Sequence, residues 1–178
     1  MKKNNKHASE CIVRETSVRD RSFSDFLSLA ENIYNDDPHW LAPIDTEIRR
    51  LLDPDKNPYF RNASLKIFVC YLNNKPAARS ILVINRSHHE RWKDRCAFFG
   101  FFEAINDPEP VKKLFSVIEE EAREAGADSL IGPFNPNHYS ELGILADNYD
   151  TDPLFFETYN KAWYRELLEN AGFSACES

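Results

Sequence analysis

A strongly apolar, phenylalanine-rich stretch of this 178-residue chain ends on a carboxylate. CAFFGFFE (96–103) reads as a buried strand closing at Glu103. A carboxylate there suits a general base that takes a proton from an ammonium or hydroxyl nucleophile, directly or through water. It would equally serve to cap the next loop. A second polar group, Asn135, Asn137, His138 and Tyr139, follows the next short strand. These side chains can orient a carbonyl or an amine in the gap between two strands, or act only as turn formers. Tyr159 and Asn160 precede the last helix and carry the same two readings, with Asn160 as a candidate N-cap. His88-His89-Glu90 has ligand-type side chains but no third partner at metal spacing, so an exposed polar loop over 85–94 is the better reading and no metal is expected. Trp40 and Trp92 read as partly buried packing residues, with interface or ligand anchors as the other reading. There is no P-loop, no G-x-S-x-G and no dinucleotide fingerprint.

The elements that must position these groups are legible. Phe23, Phe26, Leu27, Ala30, Ile33 and Tyr34 recur at helical spacing, which predicts a helix over 22–35 that stops before Pro38. Ile44, Ile48, Leu51 and Leu52 predict a short second helix. LKIFVCYL (65–72) and AARSILVI (77–84) flank Asn73-Asn74-Lys75-Pro76, a hairpin signal. Both strands are apolar on both faces, as inner strands are. After Glu103, Asp107 reads as an N-cap with Pro108 at the first helical position. Val111, Leu114, Phe115, Ile118 and Ala122 form one apolar stripe, and Gly126 stops the helix. DSLIGP (128–133) follows as a strand. Strand, helix and strand of this length make a right-handed crossover between parallel strands, and ligands gather at the carboxyl ends of such strands. Residues 133–160 read as a long irregular segment, and 161–170 as the last helix.

Size and composition indicate one domain over 10–178 behind a disordered tail, 1–9. An apolar fraction of 42% with 13 Phe is ample for its core. The formal charge of −7 argues against nucleic acid or an anionic membrane as the main partner. Cysteines at 11, 70, 96 and 176 make no C-x-x-C pair and read as free thiols of a reduced, cytoplasmic protein. The amino terminus has charge but no apolar stretch behind it, so no signal peptide is expected. No apolar run approaches the roughly 18 residues of a membrane span.

The order of elements resembles the N-acetyltransferase superfamily known as GNAT, over roughly 11–173. NKAWYRELLENAGF is similar to its fourth-helix signature, and GADSLIGPFNPN to its fifth strand. NDDPHW, LLDPDKNPYF, FFGFFE and GPFNP more closely resemble a bacterial GNAT-like family of longer chains, some of which N-acylate long-chain amino alcohols. This chain resembles their N-terminal domain. The resemblance implies an α/β fold with a mixed, mostly antiparallel sheet and flanking helices. It also implies an acyltransferase that moves an acyl group from acyl-coenzyme A or a similar thioester to a small-molecule or lipid-like amine. The thioester would lie along the backbone of Phe102 to Ala104, with Asn106 beyond, and Glu103 would deprotonate the amine. Three departures oppose this. Where the superfamily places a glycine-bearing pyrophosphate loop, this chain reads EAINDPEP (103–110). The usual catalytic Tyr position is Leu168. The strand pair that normally follows Gly-Phe is absent before Ser178, so the domain is expected to be C-terminally incomplete. These departures motivate a second reading, a catalytically inactive GNAT-like binding or assembly module, including a homodimer through the exposed sheet edge.

Overall fold

The computed structural model describes residues 10–136, 142–154 and 157–176; the expected tail over 1–9 lies outside them. In chain order the elements are β1 (Cys11–Thr16), α1 (Phe23–Tyr34), α2 (Asp45–Leu51), a 3₁₀ turn (Pro58–Arg61), β2 (Ala63–Leu72), β3 (Lys75–Asn85), α3 (Arg86–Trp92), β4 (Cys96–Ala104), α4 (Pro108–Glu124), β5 (Ser129–Ile131) and α5 (Tyr164–Asn170).

The strands form one sheet in the order β1-β2-β3-β4-β5. All neighbours are antiparallel except β4 and β5, which the α4 crossover makes parallel. Asn73 and Asn74 join β2 to β3 with φ of +50° and +64°, the left-handed pair that a two-residue hairpin turn needs. The sheet is covered on both faces, which is why its inner strands lack a polar face. Ile67, Val69, Tyr71, Ile81 and Val83 pack with Phe23, Phe26 and Leu27 of α1 and Ile48 of α2. Phe68, Cys70, Ala78 and Leu82 pack with Val111, Leu114, Phe115 and Ile118 of α4 and Leu167 and Leu168 of α5. Asp107 caps α4 as expected, its carboxylate accepting the Glu109 N–H at 2.9 Å.

Two elements differ from the sequence reading. The polar stretch after β3 is helical over Arg86–Trp92 and not a loop. The Asn85 side chain accepts the His88 N–H at 3.1 Å, and Lys93 closes the turn at φ +59°. Capping at both ends thus offsets the missing apolar stripe. The last helix starts at Tyr164, not 161, and Asn160 is not its cap. Its carboxamide instead accepts the Leu145 N–H at 2.6 Å, tying the irregular segment to the domain.

Candidate active site

A break in strand alternation aims Glu103. Early in β4, Ala97 and Phe99 face α4, while Cys96 and Phe98 face α1 and α2. Unbroken alternation would send Glu103 into the α4 core. Instead the register against β3 slips near Gly100, where Phe101 takes φ +49°. Beyond this bulge Phe102 and Ala104 face α4, and Glu103 turns to the α1 side. A side chain at Gly100 would place its Cβ 2.4 Å from the Phe134 carbonyl oxygen, so close approach of the next segment requires glycine. Asn135, 5% exposed, secures the bulge: its carboxamide oxygen accepts the Phe101 N–H at 2.8 Å.

Glu103 lands in a buried polar cluster. The Tyr164 hydroxyl donates to its Oε2 at 2.5 Å and accepts the Ala104 N–H at 3.1 Å. Arg79, opposite Glu103 on β3, brings Nη2 to 3.7 Å from Oε1. Arg79 is 3% exposed. Its Nη1 donates to the Phe26 carbonyl, and its guanidinium lies 4.4 Å from the Phe26 ring centroid. The buried cation and the phenol thus hold the two oxygens of the Glu103 carboxyl from two sides. The Tyr164 phenol is itself pushed well above its ordinary range, by burial first and then by the Glu103 charge. Tyr34 is shifted the same way for the same two reasons. Its buried hydroxyl sits beside Tyr164 and Glu103.

The cluster forms the floor of a cleft of about 670 Å³, a size suited to a small-molecule ligand. The α1–α2 connection (40–44), α2, the bulge and parts of 143–160 wall it. Among the described residues its charged lining side chains are Glu47, Arg79, Glu103 and Glu157, so the one described cation there is the buried Arg79. Leu41, Ile44 and Leu154 at the rim are 76%, 68% and 71% exposed, an aliphatic border on an acidic cavity.

A second polar knot holds one wall. Asp37 receives Lys161 Nζ at 2.5 Å, the Tyr159 hydroxyl at 2.9 Å and the His39 N–H at 3.1 Å. Burial pushes the Asp37 carboxyl up, but these donors outweigh it and hold the group below its usual range. Burial first, and then Asp37, push Tyr159 up to about 12. Trp40 stacks on Tyr34 at 5.0 Å and lines the cleft, whereas Trp92 is 64% exposed on α3.

The structure therefore brings Glu103, Asn135, Tyr159 and Asn160 to one cleft. Asn137, His138 and Tyr139 lie outside the described residues. Asn135 and Asn160 spend their carboxamide oxygens on backbone N–H groups, which makes them supports of the cleft wall. Of the residues expected to meet a thioester, Phe102 lines the cleft, while Asn106 is exposed beyond the strand. Ala104 is buried, and its C=O accepts from Trp163 Nε1 at 3.2 Å, so both its backbone groups are already bonded. Sequence reasoning did not bring Arg79 or Tyr164 to the site. The signals were an arginine inside an apolar strand and a glycine inside another. His88 meets Asp94 at 3.0 Å and His89 the Cys96 carbonyl at 2.7 Å, and among the described residues no group of three ligands gathers for a metal.

The fold is GNAT-like. An aminoglycoside acetyltransferase from an uncultured soil metagenomic sample, in complex with trehalose, matches 94% of this chain and 91% of its own at a TM-score of 0.56 and 14% identity. The same enzyme in complex with sisomicin matches at 0.55 and 13%, over the same shares. Protein YghO of Escherichia coli (strain K12) is 30% identical over 148 residues, 83% of this chain and 38% of YghO. The bacterial ceramide synthase of Caulobacter vibrioides (strain NA1000 / CB15N) is 26% identical over 153 residues, 85% of this chain and 40% of that protein. The chain thus spans about two-fifths of the length of these curated relatives. No protein-family model matches it. Among the described residues no helix is long and apolar enough to cross a membrane.

Proposed function

We propose that this GNAT-like domain transfers an acyl group from a thioester donor to a primary amine with an apolar body. The observation that carries the reading is the acidic floor and aliphatic rim of one cleft. An ammonium head is attracted to Glu103, and an aliphatic tail passes over Leu41, Ile44 and Leu154. A likeness to a ceramide synthase supports a lipid-like acceptor, and the acetyltransferase fold supports acyl transfer.

In this scheme Glu103 binds the ammonium and removes one proton, directly or through water. The free amine lone pair attacks the thioester carbon and forms a C–N bond. The tetrahedral intermediate collapses with cleavage of the C–S bond, the nitrogen releases its surplus proton, and the departing thiolate takes up a proton to leave as thiol. Tyr164 and Arg79 fix the carboxylate on the cleft side of β4, so Glu103 need not reorganise when the ammonium arrives. The test is amide formation from thioesters and a panel of straight-chain primary amines, with amines lacking the tail as controls. The proposal expects turnover to rise with tail length.

One observation favours the second reading, a binding or assembly module. The Phe101 N–H and both Ala104 backbone groups, which would otherwise face a donor along β4, are bonded to Asn135, Tyr164 and Trp163. A module would bind amine amphiphiles without producing any amide, and under that reading the sheet edge would serve homodimer formation.

A further inference from the structure

The end of β4 leads through Ile105–Asp107 into α4, the helix whose N-terminus lies nearest the candidate active site in sequence. Helix N-termini bind phosphate through N–H groups that have no partner in the first turn. At α4 residues 107–110 offer no open group. The Asp107 N–H donates to the Ile105 carbonyl at 2.7 Å. Pro108 has no N–H. The Glu109 N–H donates to the Asp107 carboxylate at 2.9 Å. Pro110 has no N–H either.

Charge points the same way. Asp107 and Glu109 place two carboxylates at this terminus, where the helix dipole would otherwise welcome an anion. Lys112 and Lys113 follow on exposed positions beside Glu109, and flexible ammonium groups supply no N–H array. Among the described residues the one cation that lines the cleft is Arg79, already engaged with Glu103 and the α1 carbonyls. Coenzyme A carries a diphosphate and a further phosphate on its nucleotide, and this end of the molecule is unsuited to them.

We infer that the domain recognises its donor as an acyl-pantetheine thioester and does not read the nucleotide of coenzyme A. The inference rests on the acyl-transfer reading above. The chemistry of such a donor is an acyl chain on a pantetheine arm, whether the arm is carried by a carrier protein or by coenzyme A. The acyl chain meets the aromatic part of the cleft lining, Phe101 and Phe102.

The test compares one acyl chain on three carriers: coenzyme A, pantetheine, and a phosphopantetheinylated acyl carrier protein. Each is assayed for amide formation with a long-chain primary amine, and the binding of pantetheine, coenzyme A and 3′-phospho-ADP is measured by calorimetry. The expected result is kcat/KM for acyl-pantetheine within about threefold of acyl-coenzyme A, with no 3′-phospho-ADP binding at millimolar concentration. A carrier-protein thioester used tenfold or more better than either would identify the protein-borne source and also support the inference. A preference for acyl-coenzyme A over acyl-pantetheine of thirtyfold or more would overturn it and leave acyl transfer standing. Failure of all three donors to bind or react would overturn the acyl-transfer reading and this inference with it.

Discussion

The Tyr164 hydroxyl lies 2.5 Å from Glu103 Oε2 and 3.1 Å from the Ala104 backbone nitrogen, so one phenol ties a carboxylate to the strand that bears it. The tie runs between α5 and β4, elements separated by about sixty residues. It explains how a glutamate at a strand end can hold one orientation at the floor of a cleft. It also places the only buried arginine on the carboxylate's other side, so the site is built as a three-residue unit.

Replacing Tyr164 by Phe leaves the Ala104 N–H and one Glu103 oxygen without that partner. Such a loss costs roughly 1–3 kcal/mol. The expected outcome is a lower denaturation midpoint with the denaturant slope unchanged, read by chemical unfolding. An unaltered midpoint would show that the hydrogen bond contributes nothing to folding.

Gly100→Ala tests the bulge. The new methyl would lie 2.4 Å from the Phe134 carbonyl oxygen and 2.8 Å from Asn135 Oδ1. Relief of that overlap must move the 134–135 backbone or the strand, at a cost of about 1–3 kcal/mol. Any acyl-transfer activity should fall with it, because the bulge is what turns Glu103 to the cleft side. Gly126→Ala serves as a comparison, since the space around that residue is open and only its φ of +87° opposes substitution.

Asp37 should give the domain an acid-labile contribution to stability. Its carboxyl is held below the ordinary range in the folded state. The contribution is therefore fully present above the unfolded carboxylate pKa of about 4 and is lost as pH falls through the lower folded value. Asp37→Asn should flatten the stability profile in that acid window and lower stability at pH 7. Urea midpoints measured from pH 7 down to pH 3 in both proteins check this. Parallel profiles would remove Asp37 from the account.

Much of this architecture was legible in the sequence because local signals agreed with the global fold. The Asn73-Asn74 turn, the Asp107-Pro108 start of α4 and its apolar stripe each have a short-range cause, and each stands in the structure as read. The site was legible only in part. A strict period of two along 96–103 puts Glu103 on the same face as Ala97 and Phe99, and only the slip at Gly100 reverses that. Arg79 was missed because the α1 carbonyls that partner it lie some fifty residues away in sequence. Tyr164 became part of the site through a contact made across the fold, which spacing does not reveal. α3 was missed because its stability comes from caps rather than from an amphipathic stripe.

The measurement that tests the central claim most directly is amide formation by the purified protein and its Glu103→Gln variant, followed by mass spectrometry. The substrates are a long-chain acyl thioester and a long-chain primary amine. The account predicts product with the native protein and a rate about 10²–10⁴-fold lower with Glu103→Gln, the range general-base catalysis supplies. Equal rates in the two proteins would remove Glu103 from the chemistry. No amide from either, with the amine bound, would replace acyl transfer by the binding-module reading.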